Sequence, residues 1–336
     1  MKVLIIKLSS IGDVIHTLPS LSALRKGLGK KARIDWLVEE AASGILRNNP
    51  FIDNVIIAKR GWKKNLRDNL KTANYLAGQH YDMALDFQGL LKSGIWVYLS
   101  KAKRRVGFSN SRELSHIFLN EKLPPFDIEK HAVDRYLTLA RHAGGLIEGA
   151  DFSLNIPRAS KDSCQKILQK NGVPKGSRFF VLIARARWET KLWDDRKFAE
   201  LAKKVSENTG LIPVFIGSES DRDALEKIKA DSGARAVNLA GLTNLDELAA
   251  VLKLSSLVVT VDSGPMHLAA AAGAKIVALF GPTAPWRTGP YGSGHTIIRK
   301  GLKCSPCFKK KCSPVKCMDE ITVDEVLTAV EGILKS

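Results

Sequence analysis

The stretch Lys2–Asp13, KVLIIKLSSIGD, sets the reading of the whole chain. Its first six residues, Lys2–Lys7, form a short continuous apolar run bounded by lysines, the pattern of a strand buried on both faces. The next six, Leu8-Ser9-Ser10-Ile11-Gly12-Asp13, hold two hydroxyls, one glycine and one carboxylate. From Asp13 to Leu28 the apolar residues Val14, Leu18, Leu21 and Leu24 recur at helical spacing. Strand, polar turn, helix is the unit from which parallel α/β sheets are built.

The same alternation continues outward. Ile34–Val38, Asn54–Ala58 and Asp82–Phe87 read as further strands with helical segments between them. A second series begins at Arg178–Ala184 (RFFVLIA) and runs through strands Ile212–Gly217, Leu257–Val261 and Lys275–Phe280. Helices are expected over Asp195–Ser206, Asp221–Ala230 and Pro265–Ala272, with a closing helix over Thr322–Leu334. The organisation predicted is an N-terminal domain over 1–157, a linker region over 158–177 and a C-terminal domain over 178–336. That linker carries a helix-like piece ending in Asn171-Gly172-Val173-Pro174. Two doubly wound domains place ligands at the carboxyl ends of their strands.

Composition narrows the class. The chain has 336 residues, 45% hydrophobic and 26% charged, which excludes a disordered basic tail protein. No apolar run reaches the roughly 20 residues of a membrane-spanning helix. The first residues lack the pattern of a secretory signal, so a soluble, cytoplasmic protein is expected. With 52 Lys+Arg against 34 Asp+Glu the formal charge is +18, which calls for an anionic partner. Nucleic acid, an anionic membrane surface and a phosphorylated substrate all meet that description. The cations cluster at Lys59-Arg60-Gly61-Trp62-Lys63-Lys64, Lys101–Arg105 and Lys309–Lys311, each of which would also serve as an ordinary solvated face. Neither G-x-G-x-x-G nor G-x-x-x-x-G-K-[ST] occurs, which argues against the usual dinucleotide and P-loop sites.

Three loops carry chemistry instead. In the first, Ser10 and Gly12 lie between a strand and a helix N-terminus, where unpaired N–H groups attract anions. Asp13 then stands at the mouth of the site with His16 one turn further on; the alternative is that Ser10 or Asp13 only caps the helix. In the second, Asp262-Ser263-Gly264-Pro265 opens a helix in a way suited to a diphosphate, with His267 either facing it or packed one turn inside. Phe280-Gly281-Pro282-Thr283 ends a neighbouring strand. The third, Ala184–Trp193, carries Arg185, Arg187, Thr190 and Lys191, cations able to neutralise a departing phosphate. Trp188 and Trp193 are either a stacking wall or core. Glu219 and Asp221 follow a strand end and suit ribose hydroxyls.

Together, KLSSIGDVIHTLP over 7–19, Thr190-Lys191-Leu192-Trp193 and VDSGPMHLAAAAGAKIVALFGPT over 261–283 resemble glycosyltransferase family 9, the ADP-heptose:lipopolysaccharide heptosyltransferases. The resemblance covers nearly the whole chain. Val38-Glu39-Glu40, Lys59–Lys64 and Asp86–Gly94 (DFQGLLKSG) are most similar to the heptosyltransferase I branch, which adds the first heptose to Kdo of the inner core. The resemblance implies a GT-B fold, two Rossmann-like domains facing across a cleft, and inversion without a catalytic metal or other catalytic cofactor. It implies Asp13 as general base, and Lys191 with Thr190 on the donor diphosphate. Glu219, Asp221, Asp262, Ser263, Gly264 and His267 would surround ADP-heptose. Ser10, Gly12, His16, Arg60, Trp62, Lys63 and Lys64 would serve a Kdo-lipid A acceptor. The expected setting is the cytoplasmic face of the inner membrane, peripheral to its anionic surface, with no nucleic acid partner.

Two alternatives are heptosyltransferase II or another family 9 transferase with a different acceptor or donor, and a non-enzymatic basic binding protein. The latter explains the charge but not Asp13, Thr190-Lys191 and Asp262-Ser263-Gly264 at strand ends. Cys304, Cys307, Cys312 and Cys317 are extra to the family core. Four thiols match the count of a structural zinc site, though the spacing is compact, and disulfides or free thiols remain alternatives. Similar Cys-rich tails occur in some members nearer heptosyltransferase II. Cys164 stands alone and reads as core.

Overall fold

The computed structural model describes residues 1–335, and the chain divides after Asn155 into two units. The first holds strands β1 (Lys2–Ile6), β2 (Arg33–Glu39), β3 (Asn54–Ala58), β4 (Met83–Asp86), β5 (Arg104–Phe108) and β6 (Glu121–Leu123). They form one parallel sheet in the order β3-β2-β1-β4-β5-β6. Val3 lies opposite both Ile34 and Met83, and Val3–Ile6 are fully buried, as the apolar run demands of a central strand covered on both faces.

The second unit holds β7 (Phe179–Ile183), β8 (Ile212–Phe215), β9 (Val237–Asn238), β10 (Val258–Val261), β11 (Ile276–Phe280) and β12 (Thr296–Arg299). Its parallel order, β12-β11-β10-β7-β8-β9, is the order of the first sheet repeated. In each sheet the winding direction reverses beside the first strand, between β1 and β4 and between β7 and β10. That reversal opens a crevice at the carboxyl ends of the strands, where ligands of such sheets bind.

The helix Ile11–Leu28 differs from a one-sided amphipathic helix. Every residue from Val14 to Leu24 is buried, and the helix packs along the helix Ala132–His142. The outer strands β5, β6, β9 and β12 escaped the sequence reading. They are short or charged, as strands near sheet edges usually are. In the Lys101–Arg105 cluster, Arg104 forks onto Glu121 with two bonds of 2.8 Å, and Arg105 Nε donates to the Phe118 carbonyl. Those two arginines are structural.

The region 158–177, expected as a linker, is largely the helix Arg158–Lys170. Cys164 and Leu168 are buried where that helix packs on Leu245–Leu254, and Ser163 Oγ donates to Glu247 at 2.6 Å. Its periodic apolar face makes it part of the second unit's packing. Among the described residues, no helix is long and apolar enough to cross a membrane.

Candidate active site

In the first unit the loop after β1 is held from three sides. Leu8 N and Ser9 N donate to Gln88 Oε1 at 3.1 and 3.2 Å. Lys92 Nζ reaches Ser9 Oγ and Glu39 Oε1, both at 2.8 Å. The turn that supplies Gln88 is folded around Asp86, which accepts from Gln88 N, Gly89 N and Ser93 Oγ. Burial raises the Asp86 carboxyl above its ordinary pKa despite those bonds.

Asp13 lies in the first turn of the helix Ile11–Leu28, and its Oδ2 accepts from Ser10 N at 3.0 Å and Ser10 Oγ at 2.8 Å. It therefore does serve the helix start, with Ser10 donating to it. Its other oxygen, Oδ1, lies 3.8 Å from Lys7 Nζ, and the carboxylate is still 39% exposed. Lys7 is the residue that sequence reasoning missed: it is 2% exposed and its ammonium donates to the Phe87 carbonyl and Tyr136 Oη at 2.8 and 2.7 Å. A lysine closing an otherwise apolar central strand was the available signal, since burying an ammonium is costly without partners. Gly12 is buried beside Asp13. His16 turns into the core, its ring set edge-on to His131 at 5.2 Å.

The basic segment 59–64 is a loop held by an aromatic contact and by Asn69, whose side-chain amide pairs with Lys59 N and O, both at 3.0 Å. Trp62 lies against Trp96 at 4.8 Å between ring centroids, half-buried on the first unit's core. Arg60, Lys63 and Lys64 remain exposed. Lys59 is tied to Glu40 at 2.8 Å.

In the second unit the structure brings Lys191 and Asp262 into direct contact. Lys191 Nζ lies 2.7 Å from Asp262 Oδ2, and Thr283 Oγ1 donates to the same oxygen at 2.6 Å. Loops after β7, β10 and β11 thus converge on one buried carboxylate beside the crevice. The Lys191 ammonium also lies 4.6 Å above the Trp188 ring, with Lys310 at 5.4 Å from it. Trp188 thus stands beside Lys191, whereas Trp193 is core, 1% exposed and donating to the Ile321 carbonyl. Ser263 precedes the helix Gly264–Ala271, with His267 nearly buried inside that helix.

Other candidates have local duties. Thr190 Oγ1 donates to the Lys309 carbonyl at 2.8 Å rather than facing outward. Arg185 forks onto Asp195 at 2.6 and 2.8 Å. Asp221 accepts from Ser218 N and Oγ, and Glu219 pairs with Arg222 at 2.7 Å.

Cys304, Cys307, Cys312 and Cys317 are free thiols lining one cavity of about 100 Å³, together with Thr190 and Pro282. Burial, then the neighbouring thiols, raise Cys317 above the ordinary cysteine range. Among the described residues, no three His, Cys, Asp or Glu side chains are arranged to hold a metal ion, so the zinc expectation is not met. The segment braces the site instead: Cys307 N and Phe308 N both donate to the Pro282 carbonyl.

The chain is similar to known proteins along most of its length. Residues 69–318 match the family model of glycosyltransferase family 9 (heptosyltransferase). Lipopolysaccharide heptosyltransferase 1 of Pseudomonas aeruginosa is 32% identical over 93% of this chain and 88% of its own. A solved structure of an E. coli heptosyltransferase with ADP superposes with a TM-score of 0.80 at 25% identity, covering 99% of this chain and 100% of that one. A family 9 glycosyltransferase from Veillonella parvula gives a TM-score of 0.86 at 22% identity over 99% of this chain and 97% of its own. The chain belongs to glycosyltransferase family 9 and has the GT-B fold. Within that family, relatives named heptosyltransferase 1 reach 32% identity, against 28% for one named heptosyltransferase 2.

Proposed function

We propose that this glycosyltransferase moves L-glycero-D-manno-heptose from ADP-heptose to Kdo of the lipopolysaccharide inner core, with inversion. The observation that carries the reading is the pair of charged centres at the two sheet reversals: Asp13 beside Lys7, and Lys191 on Asp262. Names of relatives support the same donor and acceptor.

The chemistry follows from those groups. Asp13 takes the proton from an acceptor hydroxyl as its oxygen attacks the anomeric carbon. The bond from that carbon to the ADP oxygen breaks on the opposite face, which inverts the centre. Negative charge collects on the departing diphosphate, and Lys191 is the cation placed to counter it. The N-terminus of the helix Gly264–Ala271, opened by Ser263, adds N–H donors for a phosphate. Buried Asp262 and Thr283 fix where the Lys191 ammonium stands. Arg60, Lys63 and Lys64 meet the anionic acceptor, and the enzyme works at the cytoplasmic face of the inner membrane as a peripheral protein.

Mass spectrometry of Kdo-lipid A after incubation with ADP-heptose tests the reading. A product heavier by one heptose supports it. Product only from an acceptor that already carries a heptose would give the enzyme the heptosyltransferase 2 role instead.

A further inference from the structure

The first unit carries an apolar surface that its own fold leaves uncovered. On the helix Leu91–Leu99, Ser93, Gly94, Trp96 and Val97 face the core, which turns Leu91, half-buried Ile95 and Tyr98 outward along one stripe. The short helical turn Ser115–Phe118 packs against this helix. Gly94 permits that approach, since a Cβ there would lie 2.5 Å from the Phe118 ring. Tyr98 and Phe118 meet with ring centroids 6.0 Å apart. The two elements together present Tyr98, Leu114 and Ile117 at 59%, 66% and 61% exposure, the three most exposed large apolar side chains among the described residues, gathered on one face.

Cations border the same surface. The helix Leu66–Gly78 packs on Leu91–Leu99, and its exposed start carries Arg67 and Lys71 beside exposed Leu66 and Leu70. Lys63 and Lys64 precede it on the loop that Trp62 fastens to Trp96 of the same helix Leu91–Leu99. Within 63–71 only Asp68 opposes those four cations. Apolar tips among long basic side chains match a surface that is negative at its face and hydrocarbon just beneath.

The geometry points to this face, Leu91–Tyr98 with Leu114–Ile117 and its basic border, as the docking surface for an anionic phospholipid bilayer. The inference rests on the acceptor reading above and gives it a place: the acceptor-binding unit sits on the lipid from which its substrate projects. Cations supply long-range attraction, about 1 kcal/mol for each one near the surface, and the apolar tips supply a short-range term by entering the interface.

Co-sedimentation with phosphatidylcholine vesicles, with and without phosphatidylglycerol, tests it on the full-length protein. Wild type should sediment with the anionic vesicles and be released by salt. A Tyr98→Ser/Leu114→Ser/Ile117→Ser variant should lose about tenfold or more in vesicle affinity. Its melting temperature, and its turnover of a Kdo acceptor stripped of acyl chains, should stay near wild type. Ile117→Trp should instead strengthen vesicle binding, because tryptophan favours the interface. Wild type that ignores anionic vesicles, or a triple variant that binds them normally, would overturn the docking surface. A triple variant that changes oligomeric state with vesicle binding intact would assign the face to a second copy of the chain. Failure of wild type to glycosylate the acyl-free acceptor would count against the functional reading and leave vesicle binding to be judged separately.

Discussion

Asp13 has two roles written into one side chain, and a single substitution separates them. Asp13→Asn keeps the acceptor oxygen for the Ser10 N–H but cannot take up a proton. Turnover should fall about 10²–10⁴-fold while the melting temperature barely moves. A variant keeping more than about a tenth of wild-type kcat would show that Asp13 is only a cap. Lys191 is harder to remove cleanly. Lys191→Ala should lower kcat about 10²–10³-fold, but it also strands the buried Asp262 carboxylate, which destabilises by about 3–5 kcal/mol. Adding Asp262→Asn should restore the melting temperature and leave kcat low. Recovery of turnover in the double variant would mean that Lys191 acts only as the partner of Asp262. Asp13 and Lys191 were legible as residues at strand ends. Lys7 was not, because its role comes from Tyr136 and Phe87, far along the chain.

At the scale of elements, the β5–β6 edge offers a pH test. Glu121 accepts from Arg104 and lies 2.6 Å from His142 Nε2, and the Arg104 bonds hold its pKa at about 2, well below 4.5. A depressed carboxyl pKa stabilises the fold above the unfolded value and loses that contribution as pH falls through the folded one. Glu121→Gln should therefore cost about 1 kcal/mol at neutral pH, with the gap to wild type closing as acid approaches about pH 2. Denaturant midpoints across pH measure it; a gap that persists in acid would point to packing rather than charge. The loop 59–65 gives a second test. Arg60→Ala, Lys63→Ala and Lys64→Ala combined should raise the acceptor KM and flatten its salt dependence, leaving ADP affinity unchanged. Trp62 is kept in that variant because its stack on Trp96 positions the loop. Equal loss of ADP affinity would break the division of labour between the units.

For the whole molecule, the proposed function gives the nucleotide to the second unit alone. A ligand that binds only the folded state stabilises it, by about 2.7 kcal/mol at a hundredfold excess over Kd. ADP should raise the calorimetric midpoint by several degrees, and the Lys191→Ala/Asp262→Asn variant should show a smaller shift. No shift in wild type would remove the nucleotide site from the second unit.

The sequence by itself determined the α/β class, the central strands and the loops that bear charge. Those features are local: a continuous apolar run must be buried, and the polar turn after it must sit at a strand end. It also contained the whole basis for the family resemblance. The tertiary structure decided which of those loops meet. Lys191 finds Asp262 and Thr283 only because β7, β10 and β11 are neighbours in the sheet, a pairing no local pattern encodes. It also turned the helix Arg158–Lys170 from expected linker into packing surface and tied Arg104 and Arg105 to their own sheet. The four cysteines show the limit most plainly. Their number suited a metal, but ligation depends on where the backbone points each thiol, and here the segment folds as a brace on the Pro282 loop.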